Sequence, residues 1–247
     1  MNNRVSVEKP ARTLAHALLV IVLAFVLGIG LGIPVMLGMA LLGYSLSPPS
    51  TAVLAATSIA QYVGFIAVVG AYLRITDVAN LVRVRIPDIR DIAWMVAGLF
   101  GLFVAVYLVG IVITALGTDQ AQNTVITMGQ QNPELFLLMI PITILFVAPG
   151  EELVFRGVVQ GRFRRSYGAV PAIVIASVLF GVVHYVALAG TGKLTYIVVA
   201  ILLGLILGSL YERTDNILVP IFVHGIYNAI LFAGQWAIAV NDVPIPT

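Results

Sequence analysis

Residues 134–160 read ELFLLMIPITILFVAPGEELVFRGVVQ, and this one stretch decides how the remainder of the chain is interpreted. Between Leu135 and Gly150 it contains no ionisable side chain. As a helix rising 1.5 Å per residue, the whole run is about 40 Å long, ample for a hydrocarbon core of about 30 Å. It lacks the alternation a barrel strand would show, and it far exceeds the roughly 9–11 residues such a strand needs. A transmembrane helix is therefore the expected element. Its interior then holds Glu151, Glu152 and Arg156, which water would ordinarily solvate.

Working outward, comparable apolar runs occupy 13–44, 50–73, 91–116, 169–189, 194–212 and 217–240. Composition agrees, with 60% hydrophobic and 10% charged residues in 247 against about a quarter charged in soluble chains. Mean hydropathy is +1.06. The expected fold class is an all-α polytopic transmembrane bundle of seven spans. Eight is the alternative, because 32 residues in the first run amount to about 48 Å and include Pro34. Short connections leave no room for a soluble domain, so residues 1–247 are expected to form one transmembrane domain, with the motif-bearing core in 134–240.

Charge orients the bundle. One span in 13–44 places Arg4, Lys9 and Arg12, then Arg74, Arg83, Arg85 and Arg90, then Arg162, Arg164 and Arg165, and finally Arg213 on one side. Only Lys193 falls opposite. Positive residues concentrate in cytoplasmic loops, so a cytoplasmic N-terminus in a multi-pass plasma-membrane protein is expected. The basic residues are thereby accounted for, and nucleic acid is not an expected partner. With no cysteine, disulfides, thiolate metal sites and a cysteine nucleophile are excluded. Segment 74–90 is expected to be a surface loop, and Trp94 and Trp236 interfacial anchors. The pairs Gly28/Gly32 and Gly204/Gly208 are spaced for close helix contact.

Ionisable groups inside a bilayer cost several kcal/mol and are functional candidates by default. The search leaves Glu151, Glu152 and Arg156 in the fourth span, His184 in the fifth, and His224 with Asn228 in the seventh. Glu152 and Arg156 stand at i and i+4 and can neutralise one another. Glu151, about 100° around the helix, is left for general-base chemistry. Pro149 and Gly150 are expected to break or kink the helix beside it. His224 and Asn228 share a helical face, as do Phe180 and His184. Counted from the cytoplasmic ends, Glu151 lies about 14–16 Å deep, His184 about 22 Å, His224 about 10 Å and Asn228 about 16 Å. These levels overlap within side-chain reach.

Three motifs now stand in order on three spans. Glu151-Glu152-Leu153-Val154-Phe155-Arg156 resembles the Glu-Glu-x-x-x-Arg motif of the CPBP family of intramembrane endopeptidases, also called the type II CAAX prenyl endopeptidase family. Phe180 to His184 is similar to its Phe-x-x-x-His, and His224 to Asn228 to its His-x-x-x-Asn/Asp. The resemblance implies an endopeptidase in which Glu151 and His184 activate a water and His224 and Asn228 stabilise the oxyanion. Glu152, Arg156 and Phe180 become supporting residues. The implied partners are the bilayer and a membrane-anchored peptide or protein substrate, prenylated CAAX proteins among them.

On cofactors the family has been described both ways. Two histidines and a glutamate could form a three-ligand zinc site from Glu151, His184 and His224. That would consume the unpaired base, and no His-Glu-x-x-His helix is present, so no metal is the favoured expectation. Two further readings compete: a proton-coupled carrier using the same groups as a relay, and a non-catalytic scaffold or bacteriocin-immunity factor.

Overall fold

A computed structural model describes residues 10–241, so Arg4 and Lys9 lie outside the described residues. Among the described residues seven helices are long and apolar enough to cross a membrane. They are α1 (Pro10–Leu41), α2 (Thr51–Ile75), α3 (Ile89–Leu116), α5 (Glu134–Tyr167), α6 (Ala169–Ala187), α7 (Lys193–Thr214) and α8 (Leu218–Val240). The chain is an all-α polytopic membrane protein. The first run is a single 32-residue helix despite Pro34.

The connections hold more structure than their composition announced. A short helix α4 (Thr124–Gln131) occupies part of 117–133, N-capped by the Asn123 side chain, which accepts from the Val125 N–H. Just before it, β1 (Gln122–Asn123) pairs antiparallel with β2 (Leu188–Ala189), tying the α3–α5 connection to the end of α6. Segment 74–90 is only partly a surface loop. Leu81 is buried, and the Tyr211 hydroxyl on α7 donates to the Leu81 carbonyl and accepts from the Arg83 N–H. The segment ends in a capping box, with Asp88 and Asp91 each accepting the other's backbone N–H to start α3. Gly117, at φ 59°, stops that helix in the left-handed conformation that glycine adopts without steric cost.

α5 is the most enclosed span and α3 the most exposed. One apolar cluster joins α1, α2, α5 and α6 through Phe65, Phe155, Phe163 and Phe180. Another joins α3, α7 and α8 through Leu102, Leu207, Val223 and Tyr227. Because lipid tails are as apolar as these side chains, the hydrophobic effect supplies little force between helices, and close packing must hold them. Glycine permits it: a Cβ on Gly64 of α2 would lie 2.8 Å from the Gly28 Cα of α1. Gly32, the other half of the expected pair, faces open space. Outward faces carry exposed Val96, Phe100 and Tyr107 on α3, the surface a lipid-facing helix requires.

Pro149 and Gly150 do not end the fourth span, because the helix widens instead. Five residues of π-helix (Thr143–Val147) precede the α-helical turn Ala148–Glu152, and eight more (Leu153–Gln160) follow it. Proline removes one backbone donor, and wider turns can absorb the loss without breaking the span. Gly150 serves packing: a Cβ there would sit 3.1 Å from Tyr62 Cδ1 and 3.3 Å from Phe65 Cβ, so its absence lets α2 approach at the level of Glu151.

Candidate active site

The two adjacent glutamates leave α5 in different directions, as one helical step dictates. Glu152 is fully buried, and its Oε1 accepts from Arg156 Nη1 at 3.2 Å. The same oxygen lies 2.8 Å from His224 Nδ1. A carboxylate can only accept, so Nδ1 carries the hydrogen and Nε2 is turned the other way. There it faces Glu151 Oε2 at 3.8 Å, beyond direct hydrogen-bond length. His224 is thus bracketed by both glutamates. The other oxygen of Glu151 accepts from the Tyr62 hydroxyl of α2 at 3.0 Å.

Arg156 is held from three sides. Besides Glu152, it donates through Nη2 to the Gly204 carbonyl of α7 at 3.2 Å, and its guanidinium lies 4.4 Å over the Phe180 ring. Gln160, one turn on, repeats the bond with the Gly208 carbonyl at 3.0 Å. Gly204 and Gly208 have no room for a side chain here, since a Cβ would sit 3.1 Å from Ser177 Cβ and 2.8 Å from Gln160 Oε1, respectively. The glycine pair on α7 therefore docks the motif helix and α6.

Phe180 connects the remaining parts. Its ring meets the rings of Phe155 at 5.2 Å, His184 at 4.6 Å and His224 at 6.1 Å, all edge-on. Its carbonyl lies 2.7 Å from His184 Nδ1. A carbonyl only accepts, so Nδ1 donates, and neutral His184 presents Nε2 as an acceptor. The His184 ring, half-buried where α6 tightens into its last turn, also lies 6.2 Å from that of Tyr196.

Glu152, Arg156 and His224 are therefore joined directly, Glu151 faces His224 at 3.8 Å, and His184 is joined to them through Phe180. Asn228 is half-buried one turn beyond His224, and no hydrogen bond joins it to the other site residues among the described residues. Sequence reasoning missed Tyr62, Gln160 and Tyr196. Gln160 continues the face of Glu152 and Arg156 at i+4 and could have been found by that periodicity. An aromatic in an apolar span carries no such signal, so Tyr62 and Tyr196 could not. Tyr227, beside a motif histidine, packs against Phe103 with ring centroids 5.1 Å apart.

For the zinc alternative, His184 and His224 each have Nδ1 on an oxygen acceptor, which leaves Nε2 as the nitrogen a metal would take. Among the described residues no group of three His, Cys, Asp or Glu side chains is placed to hold a metal ion.

Residues 133–230 match a family model described as type II CAAX prenyl endopeptidase Rce1-like. The match runs from the start of α5 into α8 and contains all three motifs, so this part of the chain is similar to Rce1-like endopeptidases. α1–α3, and Tyr62 with them, lie outside it. No curated protein and no solved structure matched the chain.

Proposed function

We propose that the chain is an intramembrane endopeptidase that hydrolyses a peptide bond in a membrane-anchored substrate without a metal ion. The observation that carries this reading is His224 set between two glutamates in mid-span. With hydrogen on both ring nitrogens, His224 would keep Nδ1 on Glu152 and offer Nε2–H as the donor an oxyanion needs. Glu151 takes a proton from water as the water oxygen bonds to the scissile carbonyl carbon. His184 Nε2 accepts a hydrogen bond from the water's other O–H, which stays on the attacking oxygen, and fixes its direction. The carbonyl electron pair moves to oxygen, where His224 Nε2–H and the Asn228 amide stabilise it. When the C–N bond breaks, Glu151 returns the proton to the leaving nitrogen. The Tyr62 hydroxyl holds the Glu151 carboxylate in place throughout.

Glu152, Arg156 and Phe180 position the others. The basic ends of α2, α3, α5 and α7 lie at one end of the alternating bundle, which we place in the cytoplasm together with the N-terminus, in the plasma membrane. Substrates of the prenylated CAAX class follow from the family and are the first to assay.

The test is cleavage of lipidated and unlipidated membrane peptides by the reconstituted protein, wild type against Glu151→Gln, each with and without a strong zinc chelator. Expected are loss of cleavage of about a thousandfold or more in the variant and indifference to the chelator. Chelator-sensitive cleavage restored by zinc would overturn the metal-free mechanism. Undiminished cleavage by a folded Glu151→Gln protein would overturn the assignment of the base.

A further inference from the structure

A second feature lies on the lipid-facing side, remote from the glutamates. Between α3 and α7 runs an open groove of about 410 Å³, and none of its lining residues belongs to the site described above. Its floor is deepened by Gly98, whose missing Cβ would meet Leu210. Its walls are apolar from Ala97 and Gly98 to Leu205 and Leu210. The basic end is closed by Trp94 and Arg213, with the guanidinium 5.3 Å over the indole ring. A guanidinium stacked in this way keeps its in-plane N–H donors available, the arrangement that suits a phosphate. Arg90 is exposed one turn before Trp94, at i and i+4 on the same face of α3.

Charge bookkeeping at this end identifies the occupant. Every carboxylate near the mouth is already engaged. Asp88 and Asp91 both accept from Arg85, and Asp91 also accepts from Asn216. Asp215 pairs with Arg83, and Glu212 with Arg164. Among the described residues Arg90 and Arg213 have no acidic partner. Arg213 therefore stands uncompensated at the mouth of an apolar slot that runs into the bilayer from the headgroup level, with Arg90 one turn before Trp94 on the same helix. Leu205 to Arg213 spans about 12 Å, most of one leaflet of a core about 30 Å thick.

We infer that this groove is a binding site for one anionic glycerophospholipid, its phosphate on Arg213 and Arg90 and an acyl chain along Gly98 and Leu205. A zwitterionic lipid fills the apolar slot equally well but leaves the two cations less satisfied, so the site selects for net negative charge. The inference does not depend on the proteolytic reading.

The experiment is native mass spectrometry of the full chain released from nanodiscs of phosphatidylcholine with a minor fraction of phosphatidylglycerol. Binding is titrated for wild type, Arg213→Gln, the double variant Arg90→Gln/Arg213→Gln, and a control, Arg12→Gln/Arg74→Gln, which removes two exposed cations elsewhere at the same end. Wild type should retain one phosphatidylglycerol in preference to phosphatidylcholine. At about 1 kcal/mol for a basic residue near an anionic surface, Arg213→Gln should weaken retention about fivefold and the double variant about 25-fold, with the control unchanged. An equal loss in the control would reduce the effect to general surface charge and overturn the site. Equal retention of both lipids, or an unaffected double variant, would overturn it as well.

Discussion

Removing Arg156 by substitution to Met separates what the buried ion pair does for the fold from what it does for chemistry. Arg156 and Glu152 are 1% and 0% exposed, so solvent screening offers neither of them relief. Losing one partner of such a pair strands the other charge, at about 3–5 kcal/mol. For a chain of this size each kcal/mol shifts the melting temperature by about 2–4 °C, so the single variant should melt on the order of 10 °C lower. Removing both charges, as Glu152→Gln/Arg156→Met, strands nothing and should recover most of that loss. Activity should not follow. In place of the carboxylate, an amide that can donate as well as accept no longer fixes the tautomer of His224, and replacing the orienting aspartate of a serine protease triad by its amide costs about 10⁴ in rate. A fall of at least about a hundredfold is therefore expected in the double variant. The measurements are thermal unfolding in matched detergent and cleavage in proteoliposomes. The reasoning fails if the destabilisations simply add, or if cleavage returns together with stability.

Tyr62→Phe removes one hydrogen bond to a carboxylate while keeping the ring against Phe65, 5.2 Å away. A loss of about 1.5–3 kcal/mol, roughly 10- to 150-fold in kcat with KM little changed, is expected from steady-state kinetics, and rescue is not expected from substitutions in the matched domain. Gly204→Leu should overpack the junction with Ser177 and destabilise by about 1–3 kcal/mol, read by the same melting assay. At the head of α3, the Asp91 backbone N–H donates to Asp88 and holds that carboxyl below the usual range, with Arg85 assisting. A depressed value means the stabilisation is complete above the unfolded pKa of about 3.9 and is lost as pH falls through the lower folded value. Hydrogen exchange at the start of α3 should therefore accelerate on acidification below that range, and Asp88→Asn should abolish the dependence.

What was legible in this sequence follows from the solvent it folds in. A bilayer forces every span to satisfy its own backbone, so length and apolarity revealed the seven helices. It also makes each buried ionisable group conspicuous, which is why the Glu152–Arg156 pair and the histidines stood out before any geometry was known. The same solvent hides other things. Tyr62 drew no notice because a lone tyrosine in an apolar span is ordinary bundle packing, yet its hydroxyl reaches the Glu151 carboxylate. The widened turns around Pro149 and Gly150 escaped for a related reason: sequence marks a missing backbone donor, but the choice between kinking and widening is made by neighbours, here Tyr62 and Phe65 pressing against Gly150. Likewise Gly28 and Gly32 share a spacing, and only the partner helix decides that Gly28 is the one used. Residues that act through charge can thus be read from one chain in a membrane. Those that act through shape or a lone hydroxyl become visible only once the opposing helix is in place.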